Sequence, residues 1–286
     1  MTSALEVVEP GLLTLVEDLG RPGWAHIGVG RSGAADAGAL RLANRLVAND
    51  EGAAGLEVLL GGLLVRARGD LTVALTGGRG PAWIDGRPVG HEAVIELHDG
   101  SELRLGTVEL GLRTYVAVRG GIDVPPVLGS RSTDQLAGLG PAPLAAGDVL
   151  PVGPAPRDWP LVDVAPVRPE RLALPIVAGP HADWFDDALA RLCGPHEYRV
   201  TPATNRVAVR LDGPAIRRTL QYDGRELPSE GLVVGAVQVP PDGRPVVFGV
   251  DHPVTGGYPV VAVVRRHALG RLGQLRPGDP VRFVRG

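Results

Sequence analysis

Lysine is missing from this 286-residue chain, and all 29 of its basic residues are arginine. The absence removes a Walker-type phosphate loop, a Schiff-base lysine and a biotin-carrying lysine from its chemistry. ATP or biotin chemistry would need groups from another chain, or arginines to hold the phosphates. Codon usage in a GC-rich genome accounts for the bias itself and for the 41 glycines and 27 prolines. Cysteine occurs once, at Cys193, which excludes an internal disulfide. With Gly194-Pro195 after it and no His or Asn pattern around it, Cys193 reads as a partly buried structural thiol. A net charge of -3 supplies no basic field for nucleic acid or anionic membrane. No apolar run reaches the roughly 18 residues of a bilayer span, and no basic-apolar leader opens the chain. The expectation is a cytoplasmic protein with no nucleic-acid and no membrane partner. Gly-x-Ser-x-Gly, His-Glu-x-x-His and Cys-x-x-Cys are missing too. The seven histidines lack ligand spacing, since His91/His98 and His181/His196 lie too far apart to share one element, so no metal is expected.

What is present reads as short strands punctuated by Gly and Pro. They fall over 56–60, 63–67, 71–75, 93–97 and 102–105, then over 197–201, 206–211, 232–239, 245–250, 258–264 and 280–284. Asp99-Gly100 predicts a hairpin between two of them. Without alternating helices, a doubly wound sheet is disfavoured and barrels or sandwiches fit better. Amphipathic spacing predicts helices over 34–48, with Ser32 as N-cap, and over 182–192. Nine prolines between Gly138 and Pro175 suggest a semi-rigid connection, which places domains at 1–160 and 161–286. Gly28-Val29-Gly30 with Gly33 matches a dinucleotide fingerprint, but no βαβ unit surrounds it, so a turn before the first helix fits better.

Three polar clusters sit in Gly-rich turns, where loops on a rigid scaffold often carry function. One joins Arg119-Gly120-Gly121 to Ser130-Arg131-Ser132, and its two arginines are able to fork onto a carboxylate or phosphate. A second is Thr204-Asn205-Arg206. The third runs from Ser229-Glu230-Gly231 through Gln238 and Asp251-His252 to Thr255-Gly256-Gly257-Tyr258. Hydroxyl and arginine caps on such turns also serve to hold β-barrel loops together, so a ligand role and a structural one both stay open.

The same clusters carry a family resemblance. Thr14-Leu15-Val16-Glu17-Asp18-Leu19-Gly20-Arg21, Tyr115 to Pro125, Leu128-Gly129-Ser130-Arg131-Ser132-Thr133 and Gly179-Pro180 follow in order. Gly235 to Gly243, Thr255-Gly256-Gly257-Tyr258-Pro259 and Gln274-Leu275-Arg276-Pro277-Gly278-Asp279 complete the series. Together they resemble the family formed by the C-type subunit of 5-oxoprolinase and allophanate hydrolase subunit 2. The chain departs from that pattern at Glu17, usually Gln, at Val207-Ala208 and at Val254, while Asn205, Arg206 and Thr255 stay in place.

The resemblance implies a mainly β fold of two cyclophilin-like β-barrel domains with a few short helices. It implies a companion protein, either the B-type subunit of 5-oxoprolinase or allophanate hydrolase subunit 1. It further implies a third subunit, in an ATP-dependent 5-oxoprolinase complex that hydrolyses 5-oxoproline to glutamate. ATP would serve the complex and is not assigned to this chain. The alternatives are a carboxyltransferase subunit of a urea carboxylase system, with biotin attached elsewhere, and a non-catalytic antagonist of a kinase-inhibitor protein. For a small amide or lactam substrate, Arg119 and Arg131 are expected as anion clamps. Asn205, Gln238 and Tyr258 would orient the amide, with Arg206 and Thr255 beside them. Glu230 and Asp251 are the acid-base candidates.

Overall fold

A computed structural model describes residues 3–166 and 173–286. The chain divides into two compact units, Met1–Arg21 with Ser32–Arg168, and Pro22–Arg31 with Pro169–Gly286.

The first unit holds β1 (Ala4–Pro10), β2 (Leu13–Glu17), α1 (Ala37–Leu46), β3 (Gly55–Leu59), β4 (Leu63–Arg68), β5 (Leu71–Arg79), β6 (Ala82–Ile84) and β7 (Arg87–Pro88). β8 (Val94–Leu97), β9 (Glu102–Leu105), β10 (Leu110–Val118) and β11 (Val149–Pro151) follow. They form a six-stranded sheet, β11-β1-β4-β9-β6-β7, and a five-stranded sheet, β2-β3-β10-β5-β8. Side-chain alternation builds the layers. Val73 and Leu75 of β5, with Val116 and Val118 of β10, face a core shared with Leu5, Val65 and Leu103 of the other sheet. The residues between them, Ala74 and Ala117, point the opposite way and pack under Ala43, Leu46 and Val47 at the end of α1. Small residues on that face are what let a helix lie against the sheet.

Three local expectations change. Asp99-Gly100 does not close a hairpin, because β8 pairs with β5 in one sheet while β9 pairs with β4 and β6 in the other. The turn crosses between layers, and Asp99 Oδ1 accepts the Gly69 amide (2.6 Å). The N-cap of α1 is Asp36, whose Oδ1 accepts the Ala39 amide (3.1 Å), while Ser32 donates to the Thr133 carbonyl instead (3.3 Å). The proline-rich stretch is also partly core. Leu144, Leu150 and Val152 are buried with the main cluster, and β11 pairs with β1. Residues 161–165, placed on sequence in the second half, return to the first. The Val94 amide donates to the Asp163 carbonyl (2.8 Å) and the Ala165 amide to the Glu92 carbonyl (2.8 Å). Proline density had masked these pairings, since Pro ends elements without preventing burial of the residues between. Pro169 lies outside the described residues.

The second unit contains β12 (Ala173–Ala178), α2 (Ala188–Leu192), β13 (Tyr198–Val200), β14 (Ala208–Asp212), β15 (Glu230–Gly231) and β16 (Ala236–Gln238). β17 (Val246–Phe248), β18 (Thr255–Gly256), β19 (Val260–Val264), α3 (Leu269–Leu272) and β20 (Pro280–Arg285) complete it. Seven strands close into a barrel, β12-β19-β16-β17-β14-β13-β20, sealed by the parallel pairing of β20 with β12. Val209, Leu211, Val237, Val247, Val261 and Phe283 fill the interior. The helix expected over 182–192 is broken: Ala182–Trp184 is one tight turn, and Asp187 takes φ 46° and caps a fresh helix, accepting the Ala190 amide (3.3 Å). Gly28-Val29-Gly30 closes a single 3₁₀ turn, Ala25–Ile27, as expected of a turn and not of a dinucleotide loop.

In the first unit, α1 is tied to the sheet through buried Tyr115. Its hydroxyl donates to Glu57 Oε2 (2.8 Å) and accepts the Asp36 amide (2.7 Å). Burial first, then the charges of Glu57 and Asp36, push the phenol well above its ordinary range, so it stays a donor. Tyr115→Phe should therefore lower stability by about 1–3 kcal/mol, the cost of stranding buried partners. Urea denaturation followed by circular dichroism measures it, and an unchanged midpoint would show that the network contributes nothing.

Candidate functional site

In the first unit the sequence-predicted arginines are engaged by their own protein. Asp18 organises the loop: its Oδ1 accepts Ser130 Oγ (2.6 Å), Ser132 Oγ (2.6 Å) and the Gly20 amide (2.7 Å), and its Oδ2 accepts the Arg131 amide (2.6 Å). Arg131 then turns back on the loop, donating from Nε to the Val124 carbonyl (2.8 Å) and from Nη2 to Asp123 (2.8 Å). Arg119 is buried and donates to the carbonyls of Val47 (3.0 Å), Pro156 (2.6 Å) and Asp158. Its planar face lies 4.5 Å from the centre of the Trp159 ring. It forms part of the wall of an open cleft of about 730 Å³ that also includes Glu96 and Asp70. Both guanidinium groups are local struts in this state.

The second unit gathers the remaining candidates. Arg206, just before β14, and Asp251, just after β17, are both buried and meet in a fork: Nε to Oδ2 at 2.7 Å and Nη2 to Oδ1 at 3.0 Å. Asn205 shapes the turn before them, its Oδ1 accepting the amides of Val207 (2.9 Å) and Ala208 (3.2 Å). With both oxygens of Asp251 held by the guanidinium, the geometry makes this pair a fixture of the fold.

Glu230, Gln238, Thr255 and Tyr258 lie together on the outer face of the barrel. Val237 and Val239 point inward, so Gln238 between them points outward. Over it runs a small ribbon in which Glu230 pairs with Gly256 and Gly231 with Thr255. The ribbon is close: a Cβ on Gly256 would lie 2.8 Å from Gln238 Nε2 and 2.7 Å from Leu232 Cδ1, so these side-chain ends would have to shift to admit it. Gln238 Nε2 donates to the Tyr258 carbonyl (2.9 Å). Glu230, Thr255 and Tyr258 are exposed.

His181 is the functional candidate that sequence reasoning passed over. Its Nδ1 accepts the Val260 amide (3.2 Å), which fixes the proton on Nε2. Nε2 lies 3.4 Å from Glu230 Oε2, while the ring is packed edge-on against Trp184 at 5.6 Å. Glu230 therefore has a histidine within ion-pair distance, and among the acid-base candidates it alone keeps its carboxylate exposed. The only hint in the sequence was position, since His181 follows Gly179-Pro180 at a strand end. The contact spans 49 residues of chain and arises only when β12 and the ribbon meet on one barrel.

Cys193 is half-buried, and burial pushes its thiol up against the opposing charge of Arg285. Among the described residues no group of three or more His, Cys, Asp or Glu side chains is placed to hold a metal, and no helix is long and apolar enough to cross a membrane.

A family model described as carboxyltransferase domain, subdomain A and B, matches residues 27–285. The chain is 38% identical to the C-type subunit of 5-oxoprolinase from Escherichia coli, over 98% of this chain and 90% of that protein. It is 33% identical to urea amidolyase of Saccharomyces cerevisiae, over 99% of this chain and 16% of that one. The Kluyveromyces lactis urea carboxylase structure superposes with a TM-score of 0.92 at 32% identity, over 99% of this chain and 27% of that one. The structure of TTHA0988 matches with a TM-score of 0.90 at 39% identity, over 99% of this chain and 55% of that chain.

Breaking the buried fork should be costly. Asp251→Asn leaves the Arg206 guanidinium without its bidentate carboxylate and is expected to destabilise the chain by about 3 kcal/mol. Chemical denaturation checks it; a loss below about 1 kcal/mol, the range of an exposed pair, would mean the fork is not a buried support.

Proposed function

Because the chain belongs to the carboxyltransferase-domain family of subdomains A and B, we propose that it is the C-type subunit of an ATP-dependent 5-oxoprolinase. It would act with a companion subunit, and a third, to hydrolyse 5-oxoproline to glutamate. The observation that carries this reading is the match to a 5-oxoprolinase subunit over nearly the full length of both chains. The geometry of the second unit supports it. Glu230, exposed and 3.4 Å from His181 Nε2, is placed to move a proton at an amide. Gln238 uses its amide nitrogen on Tyr258, which leaves its Oε1 as an acceptor for a lactam N–H. Thr255 and Tyr258 line the same face, and Asp251 with Arg206 holds the turn beside Asn205.

Arg119 and Arg131 serve this reading as supports of the first unit's loops, and an anion would have to displace carbonyl and carboxylate partners to reach them. Neither ATP nor biotin is assigned to this chain. It has no lysine, and its Gly-x-Gly-x-x-Gly run is a turn without a βαβ frame. Those groups belong to its partners. Urea-type carboxyl transfer is the second reading, favoured by the match to urea amidolyase and by the family model itself.

The test is to co-express this chain with the proteins encoded beside it and to assay ATP-dependent glutamate release from 5-oxoproline, omitting each chain in turn. Activity should require this chain, and Glu230→Gln should lower kcat by about 10²-fold or more. Activity that persists without the chain would reject the reading and favour a regulatory antagonist. Biotin-dependent carboxylation of urea by the same set would move the assignment to carboxyl transfer.

A further inference from the structure

The loop that leads into the ribbon carries two arginines that form no ion pair among the described residues. Arg218 and Arg225 hold their guanidinium carbons 5.5 Å and 5.4 Å from the centre of one indole, that of Trp184. The Tyr222 ring stacks on that indole at 4.6 Å and 7°, and Arg225 also lies 5.5 Å from its centre. Arg218 Nη1 donates to the Arg225 carbonyl (2.6 Å), which ties the two positions together, and Arg218 Nε is buried with no hydrogen-bond partner. Among the described residues neither guanidinium has an ion pair, although Asp223 and Glu226 are close in sequence and Asp183, beside Trp184, accepts the Tyr222 hydroxyl (3.5 Å).

Like charges held near one another repel, and an arrangement that fixes them on aromatic faces without a carboxylate is suited to an anion from outside. We propose that Arg218 and Arg225, mounted on Trp184 and Tyr222, seat the carboxylate of a small organic anion whose amide end reaches the His181–Glu230 pair.

The indole supplies the connection. One edge contact places His181 at 5.6 Å from Trp184, and His181 in turn faces Glu230 at 3.4 Å. Guanidinium forks match planar carboxylates, whereas a neutral amide such as urea gives them nothing to bind. The seat therefore selects an amide that carries a carboxylate over one that does not. It rests on the 5-oxoprolinase reading only for the identity of the ligand.

The experiment uses the co-expressed complex and isothermal titration calorimetry with three probes. These are 5-oxoproline, 2-pyrrolidinone (the same lactam without the carboxylate) and glutarate (carboxylates without the lactam). The double variant Arg218→Gln, Arg225→Gln should bind 5-oxoproline at least about tenfold more weakly, the scale of a lost charge-assisted hydrogen bond. Its affinity for 2-pyrrolidinone and its thermal midpoint should stay unchanged, and Arg225→Lys should restore part of the loss. Unweakened 5-oxoproline binding in the double variant overturns the proposal, as does equal weakening of 2-pyrrolidinone, which would mark a structural role. If the unmodified complex ignores 5-oxoproline but binds glutarate, and the double variant loses it, the 5-oxoprolinase reading falls and the anion seat stands. If neither carboxylate binds the unmodified complex, the seat itself falls.

Discussion

A guanidinium taken out of water has to find protein acceptors for its donors, and four of the described arginines are buried: Arg21, Arg113, Arg119 and Arg206. Each is answered by groups distant in sequence. Arg113 meets Glu57, which also receives the Tyr115 hydroxyl and the Ala35 amide. Arg21 reaches the Val127 and Ser132 carbonyls and lies 3.5 Å from Asp134. Arg119 gathers three carbonyls, and Arg206 forks onto Asp251. A rigid planar fork can serve several acceptors at fixed angles, which a lysine ammonium cannot do, so a lysine-free chain is well supplied with pins for its loops.

That constraint decides which charges are left for function. Once Arg119 and Arg131 are committed to carbonyls and to Asp123, and Asp251 to Arg206, the polar groups without such commitments are few. Glu230 keeps half of its side chain exposed at 50%, with His181 as its one ion-pair neighbour among the described residues. Among the described residues Arg218 and Arg225 have no ion pair, only aromatic faces and one carbonyl. A cation without an ion pair is a stronger pointer to a ligand than one found in a Gly-rich turn, and here the nearby Asp183 carboxylate is taken up by the Tyr222 hydroxyl instead.

Much of the fold could be read from alternation and turn residues. β4, β5, β8 and β9 fall within a few residues of the expected spans, since one buried face per strand leaves a period-two imprint. The misses share a cause. The Asp99-Gly100 turn is locally the same whether its strands pair or part, and only the sheet assignment of β8 and β9 separates the cases. The cap of α1 went to Asp36 over Ser32 because Ser32 is drawn to the Thr133 carbonyl 101 residues away. Site residues behaved likewise. Gln238, Glu230, Thr255 and Tyr258 were legible as one run of turns, but His181 and the Trp184 stack were not. Their meaning depends on β12 and the ribbon sharing a surface, a long-range fact with no local spacing.

The barrel itself explains why the chemistry is on its outside. A closed barrel of seven short strands leaves an interior just wide enough for side chains, and here Leu174, Val209, Val237, Val261 and Phe283 occupy it. A ligand cannot enter that core, so a reactive group has to ride on the outward positions. Gln238 does so by parity, flanked by two inward valines, and is covered there at 3% exposure. The ribbon passes close at Gly256, which pairs with Glu230, and a Cβ there would push the side-chain ends of Gln238 and Leu232 aside. Strand parity and the pairing of the ribbon thus place the acid near the amide that would orient its substrate, and both are properties of the scaffold before they are properties of a site.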